Sequence, residues 1–249
     1  MPSTYTVSGL FKAFEDLKVL ILGDVMIDAY LFGKVDRISP EAPVPIIAVS
    51  KRRNLLGGAA NVALNVRALG ATPLMCSVIG NDTQGGVFLK LLRDLGLRED
   101  GICRSDDRIT TTKVRIVGNK MQMLRIDEET ETDLNQRETK QYIDKIEEIV
   151  ATEKVDIIIF EDYNKGVLTS EVITHVIALA NKHGIPTSVD PKKKNFDQYC
   201  SVTLFKPNLK ELREGLKLEV NIEDKAVLTH ALDLLQQRQN IRIAIQFSF

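Results

Sequence analysis

Short apolar runs alternate along this chain with longer stretches of helical periodicity. The runs are KVLIL at 18–22, TPLMCSVI at 72–79, VDIIIF at 155–160, IPTSV at 185–189 and VTLF at 202–205. Each is followed by polar residues and then by a helical pattern, a rhythm that predicts buried parallel strands joined by crossover helices and hence an α/β fold. Val62, Val66 and Leu69 fall at i, i+4 and i+7 and precede Gly70, which predicts a helix over 58–69 with one buried side and a glycine stop. Similar periodicity predicts helices near 84–95, 135–151, 169–183 and 223–238, the last three with charged outer faces.

Two segments stand outside this rhythm. Ala29 to Ser50 holds three prolines in SPEAPVP between extended residues, and TTKVRIVGNKMQMLRID at 111–127 reads as a hairpin turning at Gly118 and Asn119. Together they predict a small second sheet, a lid formed by about 29–50 and 109–127. It is expected as an insertion in one domain spanning 1–249, because it lacks the apolar residues for a core of its own. No internal repeat, low-complexity tract or clear linker divides the chain.

Composition narrows the function classes. With 44% hydrophobic residues the 249-residue chain can bury a sizeable core. Its 33 Lys and Arg nearly cancel 34 Asp and Glu, so neither nucleic acid nor a membrane is expected as a partner, and any bound anion must be held by local groups. The opening MPSTYTVSGLFKAFEDL has neither the apolar run of a signal peptide nor a span of about 20 apolar residues, which predicts a cytoplasmic protein. Cys76, Cys103 and Cys200 are odd in number and far apart, and read as reduced, mostly structural thiols.

Ligands of an open parallel sheet bind beyond the carboxyl ends of its strands. The predicted strands run into Gly23 and Asp24; Asn81 and Asp82; Glu161, Asp162 and Tyr163; Asp190, Pro191 and Lys192; and Pro207 and Asn208. Five ends thus carry Asp or Asn. Any one of these is accounted for as a helix cap or turn former, but a full set on one rim points to a polar binding cleft. In LLGGAANVALNV two glycines open a helix, allowing close backbone approach, and Asn61 in the first turn can direct its amide at a hydroxyl, although a Gly-Gly pair also simply relieves a tight turn. There is no G-x-x-x-x-G-K-[ST] loop, and no G-x-G-x-x-G follows the first strand, which counts against a P-loop enzyme and against a Rossmann dehydrogenase. His175, His183 and His230 lack ligand spacing.

GDVMID at 23–28, RISPEAPVPI at 37–46, GGAANVALNV at 57–66, EDYNKG at 161–166, DPK at 190–192 and PNLKE at 207–211 resemble the ribokinase-like (PfkB) carbohydrate kinases. Within that family they are most similar to the D-glycero-β-D-manno-heptose-7-phosphate kinase domain of bacterial ADP-heptose synthesis enzymes. The resemblance runs from about residue 15 to about 245, and RISPEAPVP is its most specific string. It implies a doubly wound, mainly parallel sheet flanked by helices with a small inserted β-sheet lid, and transfer of the ATP γ-phosphate to the anomeric hydroxyl of the sugar phosphate, feeding lipopolysaccharide core assembly.

Carried over residue by residue, the resemblance makes Asp24, Gly57, Gly58 and Asn61 sugar-binding positions and turns Asp162 toward the substrate cleft. Asn208 and Glu211 match the N-x-x-E motif that organises Mg2+ and its waters near the ATP phosphates, Glu211 acting indirectly through water. Asp190 and Lys192 adjoin them as nucleotide-phosphate residues, although Lys192 also begins the solvated run at 192–194. The sugar's own phosphate needs a cationic grip, for which Lys113, Arg115 and Arg125 on one face of the hairpin are candidates, with Lys165 beside them; a solvated lid face explains the same charges. A homodimer through the lid sheet is expected, since pairing would cover its edges.

The chain departs from the family at one point. The catalytic Asp of these kinases lies in a Gly-Ala-Gly-Asp motif, which occurs nowhere in the 249 residues. In the family that motif follows the strand matched here by RIAI at 242–245, so a chain truncated relative to the family and inactive as such is expected. The alternatives are a catalytically dead sugar-phosphate-binding or oligomerising protein, and a related kinase for another sugar or a nucleoside.

Overall fold

A computed structural model describes residues 6–218 and 224–246. Its elements in chain order are α1 (Val7–Phe14), β1 (Lys18–Gly23), β2 (Val25–Ile38), β3 (Pro45–Gly58), α2 (Ala59–Ala68), β4 (Thr72–Gly80), α3 (Thr83–Asp94), β5 (Ile102–Ser105), β6 (Thr112–Gly118), β7 (Met121–Glu128), α4 (Gln136–Thr152), β8 (Ile157–Glu161), α5 (Ser170–His183), β9 (Thr187–Asp190), a 3-10 turn (Lys193–Gln198), β10 (Leu204–Phe205), α6 (Leu209–Leu216), α7 (Lys225–Gln239) and β11 (Ile243–Ala244).

The apolar runs become the heart of a seven-stranded sheet in the order β11-β10-β9-β8-β1-β4-β5. Every pairing in it is parallel, with Leu20 of β1 flanked by Leu74 of β4 and Ile158 of β8. Strand alternation divides the core in two. Leu20, Leu22, Ile158 and Phe160 pack toward α4, α5 and α7, whereas Val19, Ile21, Met75 and Ile79 pack toward α2 and α3. In α2 the buried face is Ala59, Ala60, Ala63 and Val66, rather than the expected Val62, Val66 and Leu69; Leu69 is exposed at the C-cap. The small alanines let this helix lie close against β1 and β4. Gly70, at φ +101°, supplies the expected stop.

The second sheet has four strands in the order β3-β2-β6-β7. Its first hairpin is longer than the expected 29–50, since β2 begins directly after Asp24 and β3 runs on to Gly58. The expected turn of the second hairpin also shifts by one residue. Gly118 is the last residue of β6, while Asn119 and Lys120 hold the left-handed conformation at φ 51° and 68°. The Asn119 side chain then clamps β2, accepting from the Val35 N–H and donating to its carbonyl. Ile27, Ala29, Leu56 and Val114 at the base of this sheet share the core of α2 and α3, while Met121 and Leu124 on edge strand β7 stay 68% and 55% exposed.

Candidate functional site

Asp24 is the single residue between β1 and β2, and it is buried. Its Oδ2 accepts from the N–H groups of Tyr163 at 2.8 Å and Lys165 at 3.1 Å, and its Oδ1 from Val167 at 3.1 Å. Burial pushes its carboxyl above the usual range, and these amides work against that shift. The carboxylate therefore fastens the EDYNKG loop to the end of β1. Arg108 adds a second tie by donating to the Lys165 carbonyl at 2.5 Å. Nothing in the spacing of Arg108 marked it beforehand.

Gly58 explains the Gly-Gly pair. The Ala59 N–H donates to the Asp24 carbonyl at 3.0 Å, and a Cβ on Gly58, at φ +60°, would lie 2.3 Å from that oxygen. Only glycine permits this approach. A Cβ on Gly57 would likewise meet the Asp28 carboxylate at 2.6 Å. Asn61 is exposed in the first turn of α2, and its amide has no hydrogen-bond partner among the described residues.

At the end of β8 the alternation of the strand separates two neighbours. Asp162 follows the parity of Ile158 and Phe160 and turns into the core, not toward the expected cleft. Its Oδ1 accepts from the Asn164 N–H at 2.8 Å, and its Oδ2 from Asn195 and the Tyr199 hydroxyl, both at 2.9 Å. Glu161 takes the other side. It stands in register with Asp190 of β9 and has no side-chain hydrogen bond among the described residues. Burial and then the like charge of Asp190 push it up to about 7. The sequence reading placed Glu161 on the rim but assigned it no role; the parity of VDIIIFED carried the signal.

Further along the rim, Asp190 pairs with Lys206 at 3.0 Å, and Lys192 with Glu211. Asn208 and Glu211 form a reciprocal capping box on α6, Asn208 Oδ1 accepting from the Glu211 N–H at 2.9 Å and Glu211 Oε2 from the Asn208 N–H at 2.8 Å. Both Glu211 oxygens are thus engaged by protein. Asp82 is likewise a cap, accepting from the Gly85 N–H at the start of α3.

On the second sheet, register puts Lys113 opposite Asp28 and Asp127, and Arg115 between Tyr30 and Arg125. All three predicted cations therefore share the face carrying Asp28, Tyr30 and Phe32. Each is ion-paired. Lys113 contacts Asp127 at 3.1 Å and Glu129 at 2.8 Å, Arg115 contacts Asp28, and Arg125 contacts Asp127 at 2.9 Å. Lys165 bridges Glu129 at 2.8 Å and Glu131 at 2.7 Å, so Glu129 joins the second sheet to the loop after β8.

A depression of about 620 Å³ near Pro186, Thr203 and Arg242 lies beside the amino-terminal ends of β9, β10 and β11 and is lined by none of the rim residues. Among the described residues no cluster of three or more His, Cys, Asp or Glu could hold a metal ion, and no helix is long and apolar enough to cross a membrane.

Residues 16–244 match the model of the pfkB family carbohydrate kinases. A relative named bifunctional protein HldE from Helicobacter pylori is 40% identical over 228 residues, 92% of this chain and 48% of its own length. One of the same name from Sulfurimonas denitrificans is 37% identical over 236 residues, 95% of this chain and 48% of its own. The chain thus spans about half the length of these curated relatives. Among solved structures, Escherichia coli phosphofructokinase-2 in complex with fructose-6-phosphate superposes with a TM-score of 0.68 at 18% identity, over 92% of this chain and 73% of that one. Arabidopsis thaliana ribokinase complexed with ribose and ATP gives 0.63 at 14%, over 92% and 71%.

Proposed function

From the premise that this chain belongs to the pfkB family of carbohydrate kinases, we propose that it is the sugar-binding kinase portion of an enzyme that phosphorylates D-glycero-D-manno-heptose 7-phosphate at its anomeric hydroxyl. The observation that carries the substrate is the 40% identity to the HldE protein over 92% of the chain, together with the resemblance of RISPEAPVP to heptose-phosphate kinases. The product is a 1,7-bisphosphate for ADP-heptose and lipopolysaccharide synthesis in the cytoplasm.

In this reading the sugar lies beside Gly57 and Gly58, whose lack of Cβ atoms lets the backbone pack closely against the Asp28 carboxylate and the Asp24 carbonyl. Asn61, with its unengaged amide, donates to and accepts from hydroxyls. Asp24 and Asp162 act one step back, by holding the EDYNKG loop and its underside in place. Asp190, Lys192 and Asn208 take the nucleotide end. The fit to Mg2+ is an outer one, because both Glu211 oxygens are already bonded and the described rim carries no three-carboxylate cluster. That suits a cation held mainly by waters and nucleotide phosphates, with Glu211 orienting the water. When bound, Mg2+ neutralises phosphate charge.

The string Gly-Ala-Gly-Asp does not occur in these 249 residues, and we propose that they bind the sugar phosphate without turning it over. The exposed apolar side chains of edge strand β7 favour a homodimer through this sheet. An ADP-release assay on this chain, with heptose 7-phosphate, fructose 6-phosphate, ribose and adenosine as acceptors, tests both points. Turnover with any acceptor refutes the inactive reading, and preferential turnover or binding of an acceptor other than heptose 7-phosphate refutes the substrate.

A further inference from the structure

The face of the second sheet that carries Asp28 looks across the rim. Its opposite face, with Ile27, Ala29 and Val114, is spent on the core of α2 and α3, while Lys113 on the Asp28 face reaches Glu129 and through it Lys165 of the β8 loop. Two features stand in the middle of that rimward face. Tyr30 and Phe32 are stacked, with centroids 5.8 Å apart and planes 8° off parallel, and both rings are half-buried. Register then places Arg53 opposite Tyr30 and Lys51 opposite Phe32 on β3.

Charge accounting separates these two cations from their neighbours. Lys113, Arg115, Arg125 and Lys165 are matched by Asp28, Asp127, Glu129 and Glu131, so four positive groups meet four negative ones. An incoming phosphate would have to break these partly buried pairs and leave a carboxylate without its partner. Arg53 and Lys51 have no ion-pair or hydrogen-bond partner among the described residues and are exposed. They supply the excess positive charge of this face, beside the Tyr30–Phe32 stack, whose Tyr30 ring also carries the ion-paired Arg115 guanidinium 5.3 Å from its centroid. Arg53 is four residues from Gly57 on β3, about 13 Å along the strand. An arginine side chain spans part of that interval and a phosphorylated sugar the rest.

Resting on the sugar-phosphate reading above, we infer that Arg53, assisted by Lys51, grips the distal phosphate over the Tyr30–Phe32 stack and so selects phosphorylated over unphosphorylated sugars. The ion-paired Lys113, Arg115 and Arg125 hold the shape of the sheet instead. Arg53 is the stronger partner, because its planar fork binds a phosphate in bidentate fashion where Lys51 offers a point charge.

Calorimetric titration of the full chain with D-glycero-D-manno-heptose 7-phosphate and with the unphosphorylated heptose tests this. Arg53→Ala is expected to weaken the phosphorylated ligand by roughly tenfold or more and the unphosphorylated one by less than about twofold, with Arg53→Lys intermediate. Lys113→Ala is expected to lower the melting temperature while keeping the preference for the phosphorylated ligand. If the wild type prefers the phosphorylated sugar and the Arg53→Ala, Lys51→Ala double variant keeps that preference, or if Arg53→Ala weakens both ligands alike, the assignment is overturned while the sugar-phosphate reading stands. If the wild type shows no preference at all, that reading fails and the assignment falls with it.

Discussion

Replacing Asp24 by alanine removes the acceptor for three backbone amides at once, those of Tyr163, Lys165 and Val167. Bonds to a charged acceptor each contribute on the order of 1.5–3 kcal/mol net. The burial that raises the pKa of Asp24 offsets part of that sum, so the whole set is worth about 3–5 kcal/mol, the range found when one partner of a buried charged network is removed. Asp24→Asn keeps one carbonyl oxygen but turns an NH2 group against a donor, and should cost roughly 2 kcal/mol. Urea unfolding followed by far-ultraviolet circular dichroism measures both. Amide hydrogen exchange should quicken first at Tyr163, Lys165 and Val167. An alanine variant that unfolds within about 1 kcal/mol of the wild type would refute a tethering role, since the amides would then be finding other acceptors at little cost.

Three further outcomes follow from the same geometry. Glu161 has an ordinary value of 4.5 raised to about 7, so the folded chain retains a proton that the unfolded chain has released. Its contribution to stability is full below pH 4.5 and is lost as the pH rises through 7, by at most about 3 kcal/mol. Glu161→Gln should abolish that part of the decline, and parallel stability–pH curves for the two proteins would contradict it. Gly58→Ala forces a Cβ to within 2.3 Å of the Asp24 carbonyl at a φ of +60°, and should cost more than about 3 kcal/mol, visible as a collapsed melting temperature or loss of soluble protein. Asn208→Ala removes the side-chain half of the α6 capping box and should cost about 1 kcal/mol in urea unfolding.

The parallel sheet was legible because its strands are buried on both faces and read as uninterrupted apolar runs. Short β5 has no such run, and eight-residue α6 is too brief for periodicity to declare itself. Its start was visible in N-L-K-E, which is a capping-box pattern as much as a family motif. The rim was legible as a set of strand-end Asp and Asn residues, but the directions of their side chains were not. Asp24 and Asp162 turn inward because loop amides and buried Asn195 and Tyr199 need an acceptor, a demand set by segments more than 30 residues away. The ion pairing of Lys113 and Arg115 was hidden for a related reason, since Glu129 and Asp28 meet them only once the strands are assembled.

The junction at Asp24 ties two parts of the rim together. The Asp24 backbone passes directly from β1 into the four-stranded sheet, and the same residue's side chain anchors positions 163–167. One residue is thus the crankpin on which strand, sheet and loop are all mounted.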